Sequence, residues 1–168
     1  MLPEISLDVQ HAPIELDNTV TQADLTAQAG TAIATVGHHA TALGLTTARL
    51  AYGYTFDLLM TEGPGRVCGA PRNVTIRLGY DQMLVHILAR YRPGSCQYEA
   101  VLEHEQEHVR INYETLQRYL PAIEDAVRRA ISNQFPVRGT STADAQRIAG
   151  TILGTALEQA VQVMLADR

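Results

Sequence analysis

Residues 101–116 read VLEHEQEHVRINYETL, and the reading of this stretch decides the fold. Around it, Tyr98, Leu102, Val109, Leu116, Leu120, Ile123, Val127 and Ile131 recur at spacings that are mostly three, four or seven. That is the period of a helix with one apolar face, expected from Cys96 to about Ser132. On a wheel of about 100° per residue with Val101 at zero, Val101, Tyr98, Leu116, Val109, Leu102 and Leu120 fill an arc from about 0 to 100°. Glu103, Gln106, Glu107, Arg110, Glu114 and Arg118 fill the opposite arc, about 140 to 260°. Glu105 breaks the partition. It falls near 40°, inside the apolar arc, with His104 and His108 beside it at about 300 and 340°.

Two histidines four apart on a helix share one face, one turn apart, so two imidazole nitrogens can meet one metal ion at about 2.0–2.1 Å. A glutamate directly after the first histidine lies to the side of that ion, where it can hold a water and take its proton. The chain has 6 His in 168 residues, and random placement yields the pattern in roughly one such chain per hundred. The inward aim of Glu105 adds weight. An ionised carboxylate directed at a core costs several kcal/mol, roughly, unless a cation compensates it. The competing account is a buried ion pair of Glu105 with Arg77 or Arg90, with the histidines as boundary residues of a packed helix.

Upstream of the helix the pattern changes. ISLDVQ and IELDN read as short strands near the N-terminus. Thr21, three before Asp24, marks a helix start, and Leu25, Ile33, Val36, Ala40 and Leu43 follow at helical spacing until Gly44 ends it. His38 and His39 sit on that helix, read as surface or partly buried residues, with a ligand role for either as the unsupported alternative. TTARLAYGYTFDLLM (46–60) reads as a strand, EGPGRVCGAPRN as turn chemistry, and VTIRLGY and MLVHILARY as two further strands joined around Gly79 to Gln82. Downstream, Pro121 must kink or end the long helix, because its ring clashes with the Gln117 carbonyl. NQFPVRGTST is a loop, and ADAQRIAGTILGTALEQAVQVMLADR is a last amphipathic helix whose Gly150 and Gly154 permit close packing. The expected fold is one α+β domain over residues 1–168. A small antiparallel sheet of three or more strands packs on the long motif helix, between N-terminal and C-terminal helices. The core covers 45–133 and the C-terminal helix about 142–167.

Composition narrows the function. The net charge is −5, and all basic side chains are Arg, scattered without a run that follows a phosphate backbone, so nucleic acid is not an expected partner. No apolar run approaches the ~20 residues that cross a bilayer, so no transmembrane segment is expected. Cys68 and Cys96 flank the two-strand segment. A disulfide between them is compatible with a hairpin, and would be worth roughly 3 to 4 kcal/mol and imply an oxidising compartment. The alternative is two buried free thiols. The start MLPEISLDVQ has neither a basic n-region nor an apolar h-region. Either the protein stays in the cytosol or its leader lies outside this chain. The cysteine pair favours the second, a secreted or periplasmic protein.

HEQEH on a helix that follows antiparallel strands resembles the zincin metallopeptidases. The order of strand, Cys68, two strands, Cys96 and motif helix also resembles a group of bacterial domains described as predicted secreted zinc-dependent proteases, over roughly residues 45 to 115. The resemblance implies zinc on His104 and His108, Glu105 as general base, a peptide or protein substrate, and MLVHILARY as the strand bordering the substrate cleft. It also implies a third protein ligand, which the sequence does not place. The metzincin form requires Gly and then His or Asp where this chain has Ile111 and Glu114. The thermolysin-like form uses a Glu on the next helix. Glu124 matches by type, but a continuous helix carries it about 24 Å along the axis from His108. Asp167 or Glu158 comes near if the last helix folds back, and His86 is a further candidate. Two functions follow: a zinc-dependent hydrolase, foremost a metallopeptidase, or a non-enzymatic secreted or envelope interaction domain whose metal site is structural or degenerate.

Overall fold

One long strand organises the sheet. The computed structural model describes residues 3–30 and 42–167. In chain order these form β1 (Glu4–Val9), β2 (Ile14–Asp17), α1 (Gln22–Ala29), β3 (Gly44–Gly63), β4 (Arg66–Ile87), α2 (Cys96–Gln134), β5 (Val137–Gly139) and α3 (Thr142–Ala166). The class is α+β, as expected. All four other strands pair with β4 in one five-stranded sheet. β1 and β2 run parallel to it, Glu4 opposite Asn73 and Ile14 opposite Met83, and β5 runs antiparallel. β3 reaches β4 through Pro64 and Gly65 alone. A connection that short joins antiparallel strands only. The expected antiparallel sheet is therefore corrected to a mixed one. Parallel pairing of β1 and β2 depends on contacts some 70 positions apart, which no local pattern encodes.

The chain divides into two compact units, each assembled from separate segments. The terminal unit comprises Met1–Gln10, Ala51–Gly79 and Thr115–Arg168. Val67, Val137, Ala145 and Ala149 form a buried cluster there, packed by Phe56, Leu58, Met60, Phe135, Ile148 and Ile152. Helix α3 starts at Ser141, whose hydroxyl accepts from the Asp144 amide at 3.1 Å. Its buried residues Ala145, Ala149, Leu153, Leu157, Val161 and Met164 form one stripe at helical spacing. Gly150 and Gly154 do accept close packing, from a strand rather than a helix: Tyr54 donates to the Gly150 carbonyl at 2.6 Å, and a Cβ on Gly154 would lie 2.8 Å from the Tyr54 hydroxyl. A groove of about 530 Å³ in this unit is lined by both helices, mostly by alanines and threonines, and includes none of the motif residues.

The motif unit comprises His11–Leu50 and Tyr80–Glu114. Its core holds Tyr80, Met83, Val85, Ile87 and Leu88 from β4 and its exit, Leu25 from α1, and Tyr98, Val101 and Val109 from α2. Thr21 and Asp24 form a reciprocal capping box at the start of α1, the start expected from sequence. Gly30 caps its end, and Gly44 opens β3 instead of terminating a helix. Ile33, Val36, His38, His39 and Ala40 lie outside the described residues.

Several local expectations are corrected. The turn around residues 62–73 shrinks to its GPG core, where Pro64 and Gly65 (φ 66°) fit the central positions of a tight turn, and Val67 to Asn73 are strand. Gly79 does not break β4. A Cβ there would lie 1.5 Å from the Gln10 carbonyl oxygen, so the glycine admits a crossing backbone and the two expected strands are one. Without that hairpin the basis for a Cys68–Cys96 disulfide is gone, and both are free thiols. Helix α2 runs through Pro121, and three residues of the expected 133–142 loop form β5. Helix α3 is long and apolar enough to cross a membrane by length and composition, a test that core helices of soluble proteins also pass. No unbroken apolar run marks it in the sequence, because Gly, Thr and Gln interrupt a stretch in which, from Ile148 to Ala166, only Glu158 is charged.

Candidate metal centre

The motif lies in the first half of α2, within the motif unit. The helix starts where Ser95 caps it, its hydroxyl accepting from the Tyr98 amide at 3.2 Å. Tyr98, Val101 and Val109 then bury the apolar face. Glu105 follows them inward and is 4% exposed, as the wheel requires. Glu103, Gln106, Glu107 and Arg110 are exposed. Arg110 bridges Glu107 and Glu114 along the surface. Its guanidinium holds the Glu107 carboxyl below the usual carboxylate range, and the two glutamates raise the guanidinium in turn. Glu114 is thereby engaged on the solvated side.

His104 and His108 are exposed and face each other, with 3.2 Å between their Nε2 atoms and ring planes at 88°. Two nitrogens at 2.0–2.1 Å from a tetrahedral zinc ion stand about 3.3 Å apart. The observed 3.2 Å is close to that edge, and it is equally the length of a direct N–H···N hydrogen bond between the two rings. The next turn is fixed by Asn112, whose side-chain amide donates to the His108 carbonyl at 2.8 Å, and by the Tyr80 hydroxyl, which donates to the Asn112 carbonyl at 3.1 Å. Asn112 is itself buried, and its Oδ1 has no hydrogen-bond partner among the described residues.

Glu105 has no ion-pair partner among the described residues. Arg77 pairs with Asp8 at 3.7 Å, and the Arg90 guanidinium lies on the Tyr91 ring. The carboxylate meets β3 instead. Thr46 Oγ1 lies 2.7 Å from Glu105 Oε2 and 3.1 Å from the Glu105 carbonyl. Gly44 lies beneath Oε1, so close that a Cβ there would be 2.7 Å from it. Sequence reasoning missed Thr46 and Gly44, which sit about 60 positions from Glu105 and carry no motif. The strand beside the glutamate is thus β3, whereas MLVHILARY, given that place by resemblance, belongs to the interior strand β4 and its exit.

His86 is 5% exposed, with Nδ1 at 3.2 Å from Asp17 Oδ2 on the neighbouring β2. Glu124 pairs with Arg128 one turn on, and Asp167 with Arg118 at 3.4 Å, all within the terminal unit. Glu158 is exposed on α3. No group of three or more His, Cys, Asp or Glu side chains that could hold a metal ion occurs among the described residues. Among the described residues His104 and His108 remain a pair, with their Nε2 atoms 3.2 Å apart. No family model, curated protein or solved structure matches the chain.

Proposed function

We propose that the protein is a zinc-dependent hydrolase, foremost a metallopeptidase, with His104 and His108 as metal ligands and Glu105 as general base. The 3.2 Å separation of the two Nε2 atoms carries this reading, because it matches the edge of a zinc coordination sphere. Support comes from Glu105, a buried carboxylate that no arginine among the described residues neutralises, one residue along the helix from the first proposed ligand. Zinc, when bound, supplies the Lewis acidity that brings water towards ionisation at neutral pH and polarises a scissile carbonyl. The chain's own part is to hold the ion on two imidazoles and to receive the water's proton on the Glu105 carboxylate. Glu105 then hands that proton to the leaving amine. The substrate is a peptide or protein segment.

Exposure of both rings favours a second reading, an interaction domain that holds metal at its surface without turnover. One experiment separates the two. Protein purified without a histidine tag is titrated with zinc and assayed on a fluorescence-quenched peptide library. The hydrolase reading expects about one zinc per chain and cleavage, with Glu105→Gln keeping the zinc and losing activity by at least about 100-fold. Zinc binding without cleavage supports the surface-metal reading. Full activity in Glu105→Gln removes the proposed mechanism.

A further inference from the structure

A general base has to present one carboxylate oxygen to water and keep the other still, and β3 carries two residues arranged to do this. Thr46 Oγ1 sits 2.7 Å from Glu105 Oε2 and 3.1 Å from its carbonyl oxygen. A hydroxyl has one proton to give, and the closer acceptor takes it. Oε2 is therefore tied to the sheet. Oε1 makes no hydrogen bond to any described residue. It rests over Gly44, where a Cβ would fall 2.7 Å from Oε1, 2.7 Å from Val101 Cγ1 and 2.8 Å from Glu105 Cγ. Any side chain at position 44 would push the carboxylate out of this place.

We propose that Thr46 is the positioning residue of Glu105, fixing Oε2 so that Oε1 is the oxygen that serves as base, and that Gly44 supplies the clearance this geometry needs. The inference rests on the hydrolase reading above and deepens it. In this role Thr46 needs to touch neither metal nor substrate. It acts through the side-chain torsions of Glu105, which the hydrogen bond to Oε2 and the clearance over Gly44 restrict. Such restriction bears on the chemical step, since a displacement of about 1 Å in a catalytic group can cost about 100-fold in rate.

The test compares Thr46→Val, which keeps the shape and removes the donor, with Thr46→Ser, which keeps the donor. Each is loaded with zinc and assayed on a fluorescence-quenched peptide that the wild-type protein cleaves. The expected result is a kcat lowered about 10- to 100-fold in Thr46→Val, with KM and zinc affinity unchanged, and near-complete recovery in Thr46→Ser. A crystal structure of metal-free Thr46→Val gives a readout independent of turnover: the Glu105 carboxylate should leave its place over Gly44. A wild-type kcat in Thr46→Val, or a carboxylate still over Gly44, overturns the role of Thr46. If Glu105→Gln is inactive in the same assay, the hydrolase reading survives that failure. A zinc-loaded wild-type protein that cleaves nothing overturns both.

Discussion

At the scale of single residues, the sequence reveals side chains whose direction is set by the helix that carries them. The angle of 100° per residue turned Glu105 inward and left Glu103 and Glu107 outside, and the burial of all three agrees. Thr46 and Gly44 were invisible because what defines them is a contact with Glu105 across the fold. His86 shows the same limit. Its partner Asp17 is set by a parallel register between β2 and β4. That pair has a measurable signature. Asp17 accepts from the Thr19 hydroxyl at 2.6 Å and the Thr19 amide at 2.8 Å, and these bonds, with a smaller share from His86, hold its carboxyl below the ordinary value. A carboxyl lowered by folding stabilises the protein above its unfolded pKa of about 3.9, and that stability is lost as pH falls through the lower folded value. Asp17→Asn should therefore melt below the wild type at pH 7, with the gap closing as the pH is taken below about 4. Melting curves at pH 7, 5, 4 and 3 check this, and a gap that ignores pH would contradict it.

At the scale of elements, the two long helices and the places of β1, β2 and β3 were legible, and the extent of β4 was not. The start of α1 at Thr21, the apolar face of α2 and the span of α3 follow from capping residues and period, which are local. The boundaries of β4 are not local. Gly79 resembles a break until the Gln10 backbone that crosses it is known. Pro121 misled in the opposite direction. Proline denies the Gln117 carbonyl its hydrogen bond, a local penalty of about 3 kcal/mol. Yet Leu116, Ile123 and Val127, all within 1% of complete burial, hold the flanking turns in place. Tertiary packing has outweighed the local penalty without removing it. Pro121→Ala, at an exposed position, is accordingly expected to stabilise the protein by about 1 to 3 kcal/mol, read as a higher urea midpoint with an unchanged slope.

At the scale of the whole molecule, zinc couples the motif to stability. An ion that binds only the folded chain at 100 times its dissociation constant adds about 2.7 kcal/mol. For a chain of this length that corresponds to a melting temperature raised by about 5 to 11 °C. His104→Ala or His108→Ala should abolish most of that rise, and a chelator should reverse it in the wild type. Unchanged melting of the wild type with zinc would count against a folded-state site. The α+β class was legible at this scale because helical and alternating periods occupy separate stretches of the chain. The mixed direction of the sheet was not, since β1 and β2 are short and their pairing spans most of the distance to β4. The Gln10–Gly79 crossing has one more consequence, and it concerns descent. With 1.5 Å to the nearest backbone oxygen, position 79 is closed to the other nineteen amino acids for as long as the N-terminal segment keeps its route. A homologue bearing alanine there must thread its first strand along another path, so this one letter marks which distant sequences share the topology.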